Sequence, residues 1–386
     1  MNAARRIALQ YVLLFGANGV SLPFAGLWFR SQGFSGAEIG VLLAAPMLSR
    51  LVTGPLIAVW ADGFRRRRSP IAILGLVLCL GYAGAGLAQG VWLQGALWFV
   101  AATAMAGLIP LSDVLSLQVA RRHGFDFALP RGFGSASFVA ANVIMGAILT
   151  RGSVDWVVVW IATAGALVAL TAATLLPSDP VTEGPKTPGR ERFAGIARLA
   201  VDPVFMTAVL AIGGVQATHG FYYGFSAIAW KAQGISETMT GLLWAVSVVV
   251  EIAFMWWIEP WRKRRGIGPG AILMLGGIAA VVRWTALAFA PPLWVLWPLQ
   301  ALHALTFAAT YLAGVQIVER LAPPGGHTAA QTLNSVMAAG VLIGLATLAA
   351  GPLYDRVGVS GYLAMTGLAA IGLLLQWRLR RVSAIR

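Results

Sequence analysis

Residues 62–68 read Asp-Gly-Phe-Arg-Arg-Arg-Arg, and residues 259–265 repeat the pattern as Glu-Pro-Trp-Arg-Lys-Arg-Arg. The two stretches are 197 residues apart and match acid for acid and base for base. A second echo has an offset of 198, where residues 121–122, Arg-Arg, are matched by residues 319–320, Glu-Arg. The pattern indicates that the chain of 386 residues consists of two halves with the same layout.

The chain as a whole has the composition of a membrane protein. Hydrophobic residues make up 58% of the chain and charged residues only 11%, whereas soluble domains carry about 25% charged residues. Apolar runs such as residues 71–88 and 157–176 show no alternation of apolar and polar residues, which indicates helices and not the strands of a barrel. This composition excludes a disordered chain, a nucleic-acid-binding domain and an ordinary cytosolic enzyme.

Twelve apolar runs are long enough to cross a bilayer core of about 30 Å, which takes roughly 20 helical residues. Their predicted limits are 7–30, 37–61, 70–89, 92–119, 132–150, 154–176, 203–230, 238–258, 268–290, 293–319, 328–350 and 360–378. Because both echoes have the same direction in the membrane, we predict a parallel duplication of six spans. The predicted fold class is an all-α membrane protein with twelve transmembrane helices in two pseudo-symmetric six-helix bundles.

The longest polar stretch separates the two halves. It holds four prolines and mixed charges, so it is predicted to be a linker. The predicted segments are an N-terminal six-helix bundle at 1–176, a cytoplasmic linker at 177–202 and a C-terminal six-helix bundle at 203–386.

The positive charges predict the orientation of the chain. With the N-terminus inside, 21 of the 28 Lys and Arg residues fall in inner segments and 4 in outer loops, while the other three lie within or at the edge of spans. Inner loops of membrane proteins are rich in Lys and Arg, so both termini are predicted to be cytoplasmic. The same rule explains the net charge of +14 without a nucleic-acid partner. We expect a multi-pass, monomeric protein of a bacterial-type inner (plasma) membrane.

Ionisable side chains within the spans are the candidate functional residues, because each costs about 3 kcal/mol or more on insertion scales. The set is Arg50, Asp113, Arg131, His219, Glu251, Arg283 and His303. Ion pairs between helices and snorkelling side chains are the structural alternative. A set spread over both halves at mid-span depth favours a path for substrate or protons.

Two groups stand out within this set. Asp113 in the fourth span and Arg131 at the start of the fifth lie on neighbouring helices, so they can meet. Glu251, Arg283 and His303 form a second group of an acid, a base and a titratable ring. A buried carboxyl group tends to bind a proton unless a cation keeps it ionised, and histidine titrates near neutral pH. The second group can therefore take up and release a proton.

The same residues carry a resemblance to a known family. The stretch PLSDVLSLQVARRHGFDFALPRGFG at residues 110–134 resembles, without a gap, the sugar-binding stretch of lactose permease. The chain as a whole is similar to the major facilitator superfamily and, within it, to the oligosaccharide/proton symporter branch. It is nearest in pattern to the phenylpropionate-permease-like subgroup. The resemblance implies the fold of that superfamily, in which two halves rock around a central site near the midplane.

The resemblance implies roles for residues of both halves. In the first half, the family's acidic ligand falls on Asp113, its guanidinium partner on Arg131 and its stacking tryptophan on Phe138. In the second half, the acid, arginine and histidine of the family's proton-coupling network fall on Glu251, Arg283 and His303.

The chain departs from the family pattern at several positions of the second half. The family's proton-binding glutamate is replaced by Thr306, which puts the proton site in question. Two lysines of lactose permease fall on Gln300 and Ala339, and their aspartate partners on His219 and Tyr222. Because both members of each ion pair are replaced, no orphan charge results. We expect His219 and Tyr222 to belong to the substrate site.

The basic loops resemble the superfamily's conformational motif, in which an acid pairs with helix ends and arginines to hold one state. The resemblance implies this role for Asp62, Arg65 and Arg66. The echo extends it to Glu259 and Arg262.

Arg50 has no counterpart in lactose permease, which has an apolar residue at this position. A further cation facing the cavity suits an anionic substrate, because the guanidinium fork matches a carboxylate. The alternative is a structural ion pair between Arg50 and Asp113. A static bridge between Glu251 and Arg283 is the corresponding alternative in the second half.

Three functions follow from these observations. The first is proton-coupled uptake of a small organic acid with an aromatic or apolar body, with efflux of hydrophobic compounds as its reversed variant. The second is proton-coupled uptake of a neutral sugar or nucleoside, and the third is a membrane scaffold or receptor that transports nothing. No glycine-rich phosphate loop, dinucleotide fingerprint or Cys/His cluster occurs in the sequence, so we predict no enzyme activity, cofactor or metal.

Overall fold

The computed structural model describes residues 2–177, 197–323 and 326–380, and within these ranges the chain forms twelve long helices. We number them α1 Ala3–Ser31, α2 Gly36–Asp62, α3 Arg68–Leu87, α4 Val91–His123, α5 Ala128–Arg151, α6 Trp156–Thr174, α7 Pro203–Ala232, α8 Glu237–Arg264, α9 Pro269–Ala288, α10 Leu293–Leu321, α11 residues 327–357 and α12 Tyr362–Leu379. Each helix overlaps one predicted span, which confirms the all-α class. Most of the predicted linker, residues 178–196, lies outside the described residues.

By length and apolar composition, eleven segments of the described chain can cross a membrane, and the last of them contains both α11 and α12. This segment, His327–Leu379, is 53 residues long, which would span about 80 Å as one straight helix. The chain instead turns between the two helices at Gly358, whose φ is +58°. Only glycine adopts this left-handed conformation without a steric cost, so α11 ends there.

Short polar side chains start several of the helices. Ser35 and Glu38 form a capping box at the start of α2, where each side chain accepts a hydrogen bond from the backbone N–H of the other. Asp202 accepts a hydrogen bond from the Phe205 N–H at 2.8 Å at the start of α7. Pro203 occupies the first turn of that helix, where no N–H donor is required.

The helices form two compact units. The first contains α1 to α6 together with the segment Trp230–Ala245, and the second contains the remainder of α7 to α12. In the first unit this segment approaches α5 at glycine positions, since a Cβ on Gly146 would lie 2.4 Å from the Glu237 carbonyl oxygen. Small residues permit such close backbone packing between membrane helices. The predicted segment boundaries stay predictions.

Large apolar side chains cover the outer surface. Leu80, Leu87, Trp92, Trp294 and Leu374 are each more than 60% exposed. Apolar surface of this extent is unfavourable in water and favourable against lipid chains. The chain is therefore a multi-pass integral membrane protein.

Three helices of the second unit contain π-helical turns. They lie at Phe254–Ile258 in α8, Ala304–Ala309 in α10 and Val336–Leu342 in α11. A π-helical turn inserts one extra residue, so the side chains beyond it are rotated by about 100° around the helix axis. Such turns occur frequently at functional sites, and two of these three lie beside polar side chains of the candidate site.

Candidate functional site

In the first unit, α4 and α5 bring Asp113 and Arg131 together, as the sequence predicts. The Nε atom of Arg131 lies 3.7 Å from Asp113 Oδ1, and each side chain is about one third exposed. A short turn from Gly124, whose φ of +67° is left-handed, to Ala128 connects the two helices, and both of them pack against α1. The pair is therefore within reach of a ligand.

Two aromatic residues of α1 complete this group, and the sequence did not single them out. Tyr11 Oη donates a hydrogen bond to Asp113 Oδ1 at 2.5 Å. The guanidinium carbon of Arg131 lies 4.0 Å from the ring centroid of Phe15 and 5.5 Å from that of Tyr11. Gly134 allows this contact, because a Cβ there would lie within 3.2 Å of both aromatic side chains. In the described part of the chain, no hydrogen bond uses the Arg131 side chain, so its fork is available to a carboxylate.

The other two predicted residues of the first unit lie apart from this pair. Phe138 follows Arg131 by two helical turns on the same face of α5, about 10 Å along the axis, and is buried. Arg50 is exposed on α2, and no ion pair involves it within residues 2–177. The alternative bridge between Arg50 and Asp113 is therefore not formed in this structure.

The basic loop of the first unit contains an exposed ion pair. Asp62, at the end of α2, pairs with Arg67. Arg65 and Arg66, the arginines indicated by the motif, are exposed. Half of the Asp62 side chain is accessible as well, and such surface pairs contribute little to stability.

The corresponding loop of the second unit is buried and more extensively bonded. Arg262 Nε donates to Glu259 Oε2 at 2.7 Å, and both residues are less than 10% exposed. Gln316 of α10 donates to Glu259 Oε1 at 3.0 Å. The sequence echo therefore corresponds to an exposed pair in one unit and a buried network in the other.

The second group of predicted residues is centred on Arg283 of α9, which is fully buried. Its Nη1 donates to His303 Nδ1 at 3.0 Å and to Thr306 Oγ1 at 3.1 Å. Its Nη2 donates to Gln300 Oε1 at 2.9 Å. All three partners lie on α10, and the contacting atoms belong to uncharged groups.

These contacts fix the proton on His303. A guanidinium group only donates hydrogen bonds, so His303 Nδ1 is the acceptor and the single ring proton lies on Nε2. That nitrogen faces Glu251 Oε2 on α8 at 3.7 Å. The predicted acid, base and titratable ring are thus in one cluster, with the imidazole between the other two. A direct bridge between Glu251 and Arg283 is not formed.

His219 has both ring nitrogens within hydrogen-bond distance of a partner. Its Nδ1 lies 2.9 Å from the carbonyl oxygen of Gln216 and therefore donates. Its Nε2 lies 3.2 Å from the Thr306 hydroxyl. Thr306 thus links His219 to Arg283 at the position where the family's glutamate is absent.

A neutral hydrogen bond joins two positions at which the resemblance implies that charged residues are replaced. Tyr222 Oη donates to Gln300 Oε1 at 2.9 Å. The Arg283 guanidinium carbon lies 4.8 Å from the Tyr222 ring and 4.6 Å from the Trp284 ring. Cation–π contacts of this kind stabilise a buried cation. His219 and Tyr222 are both fully buried, so neither side chain is accessible to a ligand from solvent in this structure.

Close packing of α9 on α10 builds this cluster. A Cβ on Gly276 would lie 2.4 Å from Thr310 Oγ1 and 2.8 Å from the Leu305 carbonyl oxygen, which belongs to the π-helical turn. Arg283 follows Gly276 by two turns on the same face of α9. The glycine therefore lets α9 approach closely enough for Arg283 to reach His303.

Comparison with known proteins gives relatives of matching length. The chain is 29% identical over 377 residues to the probable 3-phenylpropionic acid transporter of Escherichia coli (strain K12), covering 93% of each chain. It is 26% identical over 364 residues to the maltose permease of Geobacillus stearothermophilus, covering 92% of this chain and 89% of the relative.

Solved structures give the same fold. The crystal structure of the nucleoside transporter NupG superposes with a TM-score of 0.80 at 19% identity, over 98% of both chains. A bacterial homolog of the human lysosomal transporter Spinster gives a TM-score of 0.69 at 18% identity, over 97% of this chain and 96% of that chain. The predicted fold class is thereby confirmed. Since the family model of the MFS_1 like family matches residues 4–363, the chain belongs to that family of major facilitator transporters.

Proposed function

We propose that this protein is a secondary active transporter that couples uptake of a small organic carboxylate to proton entry by alternating access. The observation that carries the proposal is the guanidinium group of Arg131, which lies over the Phe15 ring and retains its donors. A carboxylate matches the guanidinium fork, and an aryl body matches the rings of Phe15 and Tyr11. The name of the Escherichia coli relative mentions 3-phenylpropionic acid, a molecule of this kind.

Other residues of the first unit support binding in this proposal. Asp113 orients Arg131 and holds the Tyr11 hydroxyl, so it fixes the geometry of the cation. Arg50 is an exposed second cation that attracts an anionic substrate. Phe138 contributes an apolar surface two turns beyond Arg131.

We assign the coupling proton to Glu251. Each ring nitrogen of His219 and of His303 already faces a partner group, so neither ring offers a free position for the coupling proton. Arg283 stays protonated. Glu251 is mostly buried, with a side chain 16% exposed. The affinity of Glu251 for a proton depends on its distance from the Arg283 cation, which lies on the other side of the His303 ring. A change in this distance between conformational states would therefore make Glu251 bind or release the proton. His219 and Tyr222 support this cluster through Thr306 and Gln300.

The basic loops belong to the same proposal. Asp62 with the arginines Arg65 and Arg66, and Glu259 with Arg262, would hold one conformational state and release it in the other. The concentration of Lys and Arg on these loops supports cytoplasmic termini, because inner loops of membrane proteins are rich in these residues. The proposed setting is a bacterial-type inner (plasma) membrane, in which the transporter acts as a monomer.

Uptake of a neutral sugar or nucleoside is the second candidate. The similarity to a maltose permease favours it, and the Asp113 carboxylate with the Tyr11 hydroxyl can bind sugar hydroxyl groups. Efflux would use the same site in the opposite direction. The charge of the cargo separates the candidates, because a neutral sugar does not need a guanidinium group with donors available to a carboxylate.

The test is uptake of 3-phenylpropionate, maltose and uridine into liposomes that contain the purified protein, with an imposed pH gradient that is alkaline inside. Protein-free liposomes are the essential control, because the neutral form of a weak acid crosses bilayers unaided. We expect 3-phenylpropionate to enter faster than in this control and to accumulate until a proton ionophore is added. Accumulation of maltose or uridine without that of 3-phenylpropionate would overturn the carboxylate proposal, and absence of flux for all three would favour a scaffold.

A further inference from the structure

Four hydrogen-bond donors around Arg283 have no acceptor within the described chain. They are Nε of Arg283, Nε1 of Trp284, Nε2 of Gln300 and the hydroxyl of Tyr362. All four residues are at most 1% exposed. Buried donors without partners are rare in native proteins and require an explanation.

The orientation of the Gln300 amide is fixed by its neighbours. Its Oε1 accepts hydrogen bonds from Arg283 Nη2 and from Tyr222 Oη, each at 2.9 Å. Both of these groups are donors here, so the oxygen cannot be exchanged with the nitrogen. The unpartnered end of the amide is therefore a true donor, on a side chain bonded directly to the guanidinium group.

The remaining donors belong to the same layer of side chains. The Trp284 ring lies 4.6 Å from the guanidinium carbon of Arg283. The Tyr362 ring stacks on Trp284 with a centroid distance of 5.6 Å and an interplanar angle of 2°. Free donors thus lie on contiguous residues around one cation.

Arg283 also lacks a direct counter-charge. In the described chain its side-chain hydrogen-bond partners are His303, Thr306, Gln300 and the Tyr222 hydroxyl, and all four are uncharged. Glu251 lies beyond the imidazole of His303 and does not contact the guanidinium group. A buried cation is strongly disfavoured unless it is paired, and an acceptor that carries one negative charge would satisfy both the cation and the free donors.

We infer that the second unit contains a binding site for one monovalent anion at Arg283, Gln300 and Trp284, and that this anion binds together with a proton on Glu251. The chemistry fits a halide or the carboxylate of an organic acid, because the site offers one cation and several neutral N–H donors. The link to Glu251 rests on the proposed proton-binding role of that residue, whereas the anion site does not.

Charge balance is the reason for the link. With Glu251 ionised, its charge offsets that of Arg283, and an added anion would leave an uncompensated negative charge in a low-dielectric region. A proton on Glu251 restores the balance. The other titratable groups around the cluster are His219, His303, Tyr222, Tyr223 and Tyr362. The hydrogen bond that Arg283 donates to Nδ1 holds His303 neutral, and the positive charge of Arg283 disfavours a second cation on the buried His219 ring. Glu251 is therefore the group that takes the proton.

The test uses the purified full-length protein in detergent, with sodium bromide and sodium 3-phenylpropionate as separate probes. The first readout is saturable thermal stabilisation by the anion. The second is proton uptake from a weakly buffered solution at pH 8 to 9, where we expect about one proton per bound anion. A response to bromide identifies a halide site. A response to 3-phenylpropionate that Arg131→Lys retains identifies a carboxylate site in the second unit, because Arg131 is the proposed substrate ligand of the first unit.

Three variants separate the parts of the inference. Gln300→Glu supplies an internal carboxylate to Arg283, so it should remove the response to bromide and, in an Arg131→Lys background, the response to 3-phenylpropionate. The amide-to-acid control Gln331→Glu on α11 should keep both responses. Should Gln300→Glu fail to fold, Trp284→Phe retains the stack on Tyr362 and should weaken apparent anion affinity about two- to tenfold through one lost donor. Glu251→Gln should bind the anion without taking up a proton.

Two results would overturn the inference. The anion site is wrong if bromide and 3-phenylpropionate give no saturable response in the wild type, or the same response in all of these variants. The link is wrong if Glu251→Gln still takes up a proton on anion binding. Neither result depends on transport, so failure of the site and failure of the proposed transport function are distinguishable.

Discussion

His303 directs its protonated ring nitrogen toward Glu251, with 3.7 Å between Nε2 and Oε2. Its other nitrogen accepts a hydrogen bond from Arg283 at 3.0 Å. The imidazole therefore separates the buried cation from the carboxylate and polarises in response to both. A small movement of α8 relative to α10 would strengthen or break the contact with Glu251, because 3.7 Å is just beyond hydrogen-bond distance.

We expect Glu251→Gln to abolish uphill accumulation of substrate and to leave exchange across the membrane largely intact. The amide keeps the shape and the acceptor of the side chain but cannot take up and release the coupling proton. In a gradient of two pH units, one proton per substrate sustains up to about 100-fold accumulation. Because the neutral acid also crosses bilayers unaided, we expect the variant to accumulate 3-phenylpropionate no faster than protein-free liposomes do. Measurement is by liposome uptake and counterflow.

Glu237→Gln is the matched control for this experiment. Glu237 pairs with Lys231 at 2.7 Å and lies outside the Arg283 cluster. Its substitution should leave accumulation unchanged. Continued accumulation by Glu251→Gln would show that the proton binds elsewhere, and Asp113 would be the next candidate.

His303→Gln should retain coupled accumulation with a rate reduced by up to about tenfold, the effect of one or two altered hydrogen bonds. The reason is that Arg283 fixes His303 as an acceptor at Nδ1 and a donor at Nε2, roles that an amide can supply without titrating. His327→Gln, at an exposed position, is the control. Exchange that persists without accumulation would make His303 a proton relay instead.

Arg131→Lys should weaken substrate binding by about 10- to 100-fold, because the charge remains but the fork and its stacking on Phe15 are lost. Binding is measured by calorimetric titration of 3-phenylpropionate into the purified protein. Arg151→Lys, an exposed change at the other end of α5, should bind normally. Normal binding by Arg131→Lys would remove this residue from the substrate site.

The spans and the Asp113–Arg131 pair could be predicted because both depend on the order of residues along the chain. A run of about 20 apolar residues is sufficient to define a span. A short turn joins α4 to α5, so charges on these two consecutive helices can meet, and both helices pack against α1. Tyr11 and Phe15 were not predicted, since their contact with Arg131 depends on how α1 packs against α5, which Gly134 permits.

The arrangement of the second site depends on helix rotation, which an apolar pattern does not reveal. The π-helical turns in α8 and α10 change the faces on which residues beyond them lie. The position of His303 between Arg283 and Glu251 also depends on how α8, α9 and α10 pack together, so it could not be derived from spacing. Gln300 did carry a signal, as a polar residue in an apolar run, but its hydrogen bond with Tyr222 needed the structure.

Single-cysteine labelling tests the orientation. In a Cys79→Ala background, Ser153→Cys in the loop between α5 and α6 should react with an impermeant maleimide from outside the cell. Ser69→Cys at the start of α3 should react only after the membrane is opened. The prediction follows from the concentration of Lys and Arg on the side that contains Ser69. The reverse labelling pattern would invert the proposed orientation.

Gly276→Ala tests the packing that brings Arg283 to His303. The new Cβ would lie 2.4 Å from Thr310 Oγ1 and 2.8 Å from the backbone oxygen of Leu305, so α9 must move away from α10. We expect a loss of stability of about 1–3 kcal/mol, as for other overpacked sites, measured as a lower thermal-unfolding midpoint of the purified protein.

Gly367→Ala in α12 is the matched control, because its Cβ would meet no atom within 4 Å. That change should stabilise by about 0.5–1 kcal/mol through helix propensity. Equal midpoints for the two variants would contradict the close approach of α9 and α10, and with it the hydrogen bond from Arg283 to His303.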